Sequence, residues 1–145
     1  MLMNDSKPLQ RAHCVALLTA CSWSLHGCRL APRTLDTRDA AGVYALISVD
    51  GKGLPAIVEH GSDSVEVRAG QLEISADGLC QSTTVFVPPS GSVITREVQA
   101  ACVVDRVVDG ERWTMRWRGA GTTTGMRVGA TFTMHNEGLN FVYRK

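Results

Sequence analysis

One stretch decides the fold: Arg-Trp-Thr-Met-Arg-Trp-Arg, residues 112–118. Successive side chains of a β-strand point to opposite faces, so Trp113, Met115 and Trp117 share one face while the arginines and Thr114 share the other. This alternation predicts a half-buried strand. Two tryptophans and a methionine on one face need a large apolar interior to receive them, and the other strands of the chain must supply it.

The composition places the chain among ordinary globular domains. Its 145 residues are enough for one domain, and 44% hydrophobic against 20% charged residues is too apolar for disorder. The formal net charge of +1 lacks the basic excess that is typical of nucleic-acid binders. We therefore expect a single folded domain with no nucleic-acid partner.

Turn signals divide the chain after Gly42 into short apolar and β-branched runs. Asp-Gly pairs stand at 50–51, 77–78 and 109–110, with further breaks at 88–91 and 136–138. Between them we predict strands over residues 42–49, 54–59, 65–68, 71–75, 79–87, 93–104, 112–118, 126–134 and 139–144. Gly70 lies between two of these pieces as a turn or a bulge.

These runs indicate how the strands are connected. No connection is long enough for a crossover helix, so neighbouring strands should be antiparallel. A meander with one apolar face hides its edges by closing on itself. We predict an all-β protein, an antiparallel up-and-down β-barrel of about eight strands over residues 42–145. A two-sheet sandwich is the alternative.

The N-terminal segment differs from the rest of the chain. Lys7 and Arg11 precede an apolar run over residues 14–18, and Leu-Thr-Ala then leads to Cys21. This pattern resembles a bacterial lipoprotein signal, which implies a signal over residues 1–21, a lipid on Cys21 and a membrane anchor. Ser22 after that cysteine implies an outer-membrane lipoprotein facing the periplasm or the surface. The alternatives are cleavage before Cys28, a plain secretory signal, or an N-terminal helix with a buried cysteine.

Residues 22–41 are predicted to be a tether. Pro32 as a first helical residue and Gly42 as a stop favour one short helix. We expect this helix to lie against one end of the following domain with Leu35 facing inward.

The domain itself resembles the small lipocalin-like β-barrels of bacterial lipoproteins and secreted proteins. The segments that carry the resemblance are Gly-Val-Tyr-Ala-Leu at 42–46, Ser-Val-Asp-Gly at 48–51 with Leu-Pro at 54–55, Gly-Gln-Leu-Glu-Ile at 70–74 with Ala-Asp-Gly at 76–78, and Phe-Val-Tyr-Arg at 141–144. Lipocalins place a tryptophan under a late arginine. The resemblance implies that Tyr44 takes the tryptophan's position, with Arg144 as its partner.

An apolar interior is the first candidate site. Six large side chains are expected to line it: Trp113, Met115, Trp117, Met126, Phe132 and Phe141. Such a set can either surround a pocket for a small hydrophobic ligand or fill the barrel completely, since an eight-stranded barrel holds little more than its own side chains. Both interpretations remain open from the sequence.

Two cysteines on neighbouring strands form a candidate disulfide. Cys80 and Cys102 flank the turn near Gly91 and would lie opposite one another on the face of Phe86 and Val98. An exported location favours their oxidation, and two buried thiols are the alternative.

The remaining polar residues show no catalytic or metal-binding pattern. His60 and His135 sit beside turns, and the carboxylates Glu59, Glu66, Glu73, Glu97 and Glu111 are expected to be solvated. The row of Arg112, Arg116, Arg118 and Arg127 is expected on the outer face. We predict no catalytic residue, no metal and no cofactor.

These observations favour a non-enzymatic, envelope-anchored monomer that binds a small apolar ligand or serves as a surface-presented module. The alternative is a protein-interaction module, such as an enzyme inhibitor, acting through loops at residues 50–54 and 119–125.

Overall fold

The computed structural model describes residues 36–145. The predicted signal segment with Cys21, the second cysteine Cys28, and most of the tether with Leu35 lie outside the described residues. Within residues 36–145, no helix is long and apolar enough to cross a membrane.

Ten strands make up most of the described chain. Their bounds are β1 Gly42–Val49, β2 Lys52–Gly53, β3 Ala56–His60, β4 Asp63–Ile74, β5 Leu79–Val87, β6 Ile94–Val107, β7 Gly110–Trp117, β8 Gly121–Val128, β9 Thr131–Asn136 and β10 Leu139–Arg144.

Eight of these strands close into an antiparallel barrel. The order runs β1-β10-β9-β8-β7-β6-β5-β4, and β4 returns to pair with β1. The prediction of an all-β, up-and-down antiparallel barrel is confirmed. The short strands β2 and β3 extend the sheet where β1 and β4 diverge, because β2 pairs with the end of β1 and β3 with the start of β4.

The two pieces predicted on either side of Gly70 are one strand. β4 runs through Gly70 with a bulge between Val67 and Ala69. A methyl group at Gly70 would come within 2.9 Å of the Leu46 side chain, which crosses over this position. Glycine therefore permits a close approach inside the barrel, and of the two expectations the bulge is the one observed.

The strand predicted over residues 126–134 is wrong, because it is a hairpin. Val128 pairs with Thr131, so Gly129 and Ala130 form a two-residue turn between β8 and β9. Such a turn exchanges odd and even positions between the two faces. Phe132 is consequently buried, whereas Val128 is exposed.

The loop predicted over residues 119–125 is also mostly strand. Only residues 118–120 form a turn, and β8 begins at Gly121. The three consecutive threonines at 122–124 explain this, since β-branched side chains favour a strand.

Of the short helix predicted before β1, the structure describes only the last part, residues 36–41, and this part forms a single turn. Thr37–Ala40 form a four-residue 3-10 helix after the capping residue Asp36. The Thr37 hydroxyl donates to the Ala76 carbonyl at 2.8 Å, and Ala40 is fully buried. This turn covers the end of the barrel at which β1 begins. The rest of the predicted helix, with Leu35, lies outside the described residues, so its packing stays a prediction.

The covered end of the barrel is filled. Tyr44, Leu72, Ile74, Val104, Trp113 and Phe132 are all fully buried there. The Phe132 ring meets the rings of Tyr44 and Trp113 edge to face, with centroids 6.1 and 5.7 Å apart. We call this half the closed end and the opposite half the open end.

Cys80 and Cys102 form a disulfide at the closed end, with their sulfur atoms 2.07 Å apart. The predicted register was wrong by two residues along β6, because Cys80 stands opposite Ala100 rather than Cys102. Positions 100 and 102 lie on the same face, so the two sulfur atoms still meet diagonally.

Candidate functional site: a cleft at the open end of the barrel

The open end contains two adjoining cavities of about 70 and 130 Å³. They share five lining residues: Thr84, Arg96, Asn136, Glu137 and Phe141. We treat them as one cleft with an inner part that reaches towards the middle of the barrel and an outer part under β3. Strand pairing places inward-facing side chains of β5, β6, β9 and β10 around it.

The inner part is partly polar. Ser82 and Thr84 from β5 face Tyr143 from β10 across the barrel, and Trp117 from β7 forms a wall. The Trp117 indole N–H donates to the Thr123 hydroxyl at 2.7 Å, which fixes the orientation of that wall.

The Tyr143 hydroxyl is the least satisfied group in this region. Tyr143 is 1% exposed, and its hydroxyl oxygen has no hydrogen-bond partner among the described residues. Burial raises the pKa of Tyr143 to about 12, an effect that the neighbouring Ser82 hydroxyl opposes in part. The two hydroxyls are neighbours but do not meet the geometry of a hydrogen bond. The hydroxyl therefore keeps its proton at neutral pH and is available as a donor.

The outer part is mostly apolar. Val58, Val65, Val67, Phe86 and Leu139 line it together with Phe141. At its rim, His60 Nδ1 lies 3.5 Å from the Glu137 carboxylate, which joins the β3–β4 turn to the β9–β10 turn. An apolar wall of this size accepts a small hydrocarbon or aromatic group.

Arg96 is the one cationic side chain that lines both parts of the cleft. Arg96 lies on β6 opposite Thr84 and is exposed to solvent at the mouth of the cleft. It forms no salt bridge with any residue between 36 and 145. A guanidinium group without a carboxylate partner beside an apolar wall can bind a planar anion.

The predicted interior residues separate into three groups. Trp113, Met115 and Phe132 are fully buried in the filled part of the barrel. Trp117 and Phe141 line the cleft. The prediction for Met126 is wrong: it pairs with Arg112 and Thr133 on the outer face, because the two-residue turn after Val128 reverses the alternation.

The same reversal carries Arg127 inside the closed end. Its guanidinium binds the Glu111 carboxylate through two hydrogen bonds of 2.7 and 2.8 Å, and both side chains are about 15% exposed. The Arg127 hydrogen bonds hold the pKa of Glu111 below its ordinary value, against the effect of burial. The expectations of an outward Arg127 and a solvated Glu111 are wrong, whereas Arg112, Arg116 and Arg118 are exposed as expected.

The cation beside Tyr44 is Lys145 rather than Arg144. The Lys145 ammonium lies 5.7 Å from the centre of the Tyr44 ring and donates to the Ala41 carbonyl at 2.6 Å. Arg144 is exposed on the opposite face of β10. Lys145 therefore takes the position beside Tyr44 that the resemblance had implied for Arg144.

Sequence reasoning missed the polar residues of the cleft: Ser82, Thr84, Arg96, Asn136 and Tyr143. The sequence did contain a signal for Arg96, because it lies two residues before Val98 in the alternation and therefore falls on the same face of β6 as Val98 and Cys102. An arginine in phase with buried residues marks either an ion pair or the mouth of a site.

Among residues 36–145, no group of three or more His, Cys, Asp or Glu side chains is placed to hold a metal ion. Comparisons of the chain with models of protein families, with curated proteins and with solved structures give no match.

Proposed function

We propose that this protein is a non-enzymatic binding module that takes a small, partly apolar ligand into the cleft at the open end of its barrel. The observation that carries the proposal is the Tyr143 hydroxyl, which is buried beside the inner part of the cleft and has no hydrogen-bond partner among residues 36–145. A buried hydroxyl without a partner is uncommon in folded proteins, and a ligand with a hydrogen-bond acceptor would satisfy it.

The asymmetry of the barrel supports this proposal. The closed end is filled by aromatic rings and covered by the Thr37–Ala40 turn, so within residues 36–145 the open end is the side from which a ligand can enter. The cavities are smaller than the roughly 300–1,000 Å³ of sites for drug-sized molecules. The ligand is therefore a small molecule rather than a long lipid chain.

The sequence supports an envelope location for this module. Leu-Thr-Ala-Cys at residues 18–21 resembles a lipoprotein signal, and a lipid on Cys21 would hold the barrel at the outer membrane. The Cys80–Cys102 disulfide is compatible with an oxidising compartment. Radioactive palmitate should label the wild type and the Cys28→Ala variant but not Cys21→Ala. Labelling of Cys21→Ala would contradict the anchor.

Native mass spectrometry of the full chain from its own host tests the binding function. We expect a discrete additional mass that is released on denaturation. Phe141→Trp narrows both parts of the cleft and should remove the additional mass, whereas Val128→Trp, exposed on the outer face, should keep it. A bare wild-type mass, or an additional mass that Phe141→Trp leaves unchanged, would contradict the proposed site.

The alternative of an interaction module acting through loops gains no specific support. Residues 121–125 belong to β8, and residues 52–53 belong to β2, so little of either predicted loop is free to adapt to a partner.

A further inference from the structure

We propose that the ligand of the cleft is a small carboxylate, with the Tyr143 hydroxyl and the Arg96 guanidinium binding its head and the outer apolar part holding its tail. This inference rests on the proposed function and specifies the chemical class that the same site would take. It assigns roles to two residues that lie on different strands and line the same inner cavity.

The polar groups of the inner part fit a carboxylate head. Tyr143 and Ser82 can donate from their hydroxyls, Asn136 from its amide and Arg96 from its planar guanidinium. A carboxylate oxygen accepts from a hydroxyl and from a guanidinium at once, and charge-assisted hydrogen bonds of this kind are the strong ones. A neutral head would gain no charge-assisted hydrogen bond from Arg96, whose exposed guanidinium would stay solvated.

The charges around the cleft favour a single negative charge on the ligand. Arg96 is the one arginine or lysine in the lining, and Glu137 stands in the same lining with His60 beside it. A phosphate group carries up to two charges and would meet repulsion from Glu137 with one cation to offset it. A monoanionic carboxylate matches one guanidinium.

The outer part limits the tail. Val58, Val67, Phe86 and Leu139 surround about 130 Å³ beside Phe141. A chain of about six carbons or a single aromatic ring suits this space, whereas a long acyl chain would project into water. We therefore expect the cleft to bind short carboxylates and not long fatty acids.

Calorimetric titration of the full-length protein with matched pairs of ligands tests the inference. The pairs are hexanoate with 1-hexanol, and phenylacetate with phenylacetamide. We expect each carboxylate to bind at least about tenfold more tightly than its neutral partner, since each factor of ten requires only one good additional polar interaction. Palmitate should bind no more tightly than hexanoate.

Two variants assign the effect to the named residues. Arg96→Gln should weaken hexanoate binding about three- to tenfold while leaving 1-hexanol binding unchanged. Tyr143→Phe should weaken hexanoate binding about three- to tenfold and 1-hexanol binding by a smaller factor, because a hydrogen bond to a charged acceptor is stronger than one to a neutral acceptor. Arg112→Gln, on the outer face, is the matched control and should bind both ligands as the wild type does.

The outcomes separate the two proposals. Equal binding of acid and alcohol that Phe141→Trp abolishes would overturn the carboxylate inference and leave the proposed function standing. The same result follows if the carboxylate preference survives in both Arg96→Gln and Tyr143→Phe. Absence of saturable binding for every probe at millimolar concentration would overturn the carboxylate inference, and a bare mass in native mass spectrometry would overturn the proposed function as well.

Discussion

Tyr143 and Glu111 are both polar groups inside the barrel, but they differ in whether the protein satisfies their hydrogen bonds. Glu111 is satisfied, because Arg127 binds it with two hydrogen bonds and the Trp113 indole N–H donates to it at 3.3 Å. The Tyr143 hydroxyl has no partner among the described residues. The first arrangement stabilises the folded chain, and the second leaves a polar group free for a ligand.

Removing the Tyr143 hydroxyl should stabilise the ligand-free protein. A buried polar group without a hydrogen bond costs about 1–3 kcal/mol, so Tyr143→Phe should raise the free energy of unfolding by about 1 kcal/mol in urea titrations. Tyr44→Phe is the matched control, since the Tyr44 hydroxyl donates to the Ala40 carbonyl at 2.7 Å and its loss should lower that free energy by about 1 kcal/mol. A destabilised Tyr143→Phe would mean that the hydroxyl has a partner within the protein.

Breaking the Glu111–Arg127 pair should produce a pH-dependent loss of stability. Glu111→Gln leaves the half-buried Arg127 without a counter-charge and should lower the free energy of unfolding by about 3 kcal/mol at pH 7. The pKa of Glu111 is lower in the folded chain than its ordinary value in the unfolded chain. The carboxylate therefore stabilises the fold fully above the ordinary pKa and loses this effect as pH falls through the folded pKa. Urea titrations at pH 7 and at about pH 3 should therefore show the difference between wild type and variant shrinking at the lower pH. A constant difference would contradict the role of this ion pair.

At the scale of the elements, alternation and turn signals were enough to predict the barrel but not its hairpin at Gly129. Every even-numbered position from Met126 to Met134 holds an apolar residue, although these positions belong to two strands and the turn between them. A glycine at the first position of a two-residue turn is a hairpin signal, but the continuous alternation around Gly129 concealed it. Because the turn was missed, Met126 was predicted to point inward and Arg127 outward. The face on which a side chain lies therefore depends on knowing where the turn is and how many residues it contains.

The pairing of β8 with β9 gives a prediction for Gly125. A methyl group there would come within 2.6 Å of the Phe132 ring, which packs tightly against Tyr44 and Trp113. Gly125→Ala should therefore lower the free energy of unfolding by about 1–3 kcal/mol through overpacking. Gly53→Ala, with no atom within 4 Å of the added methyl group, should change stability by less than about 0.5 kcal/mol. Equal effects of the two substitutions in thermal or urea unfolding would contradict the described packing.

At the scale of the whole molecule, the sequence left open whether the barrel is filled or hollow. The answer is different at its two ends, because it depends on how far each strand extends and on what covers each rim. Trp113 and Trp117 both follow an arginine and lie on the same face of β7. Trp113 is nevertheless fully buried among aromatic rings, while Trp117 borders the cleft. No local signal separates them, since the difference arises from the closure of β4 on β1 and from the Thr37–Ala40 turn.

These two tryptophans allow the most direct test of the cleft as the binding site. Their indole N–H groups give separate signals in a ¹H–¹⁵N spectrum of the full chain, and hexanoate can be added in steps. We predict that the Trp117 signal shifts in a saturable manner, while the Trp113 signal, in the filled closed end, stays unchanged. A shift of Trp113 equal to or larger than that of Trp117, or no shift of Trp117, would contradict the account.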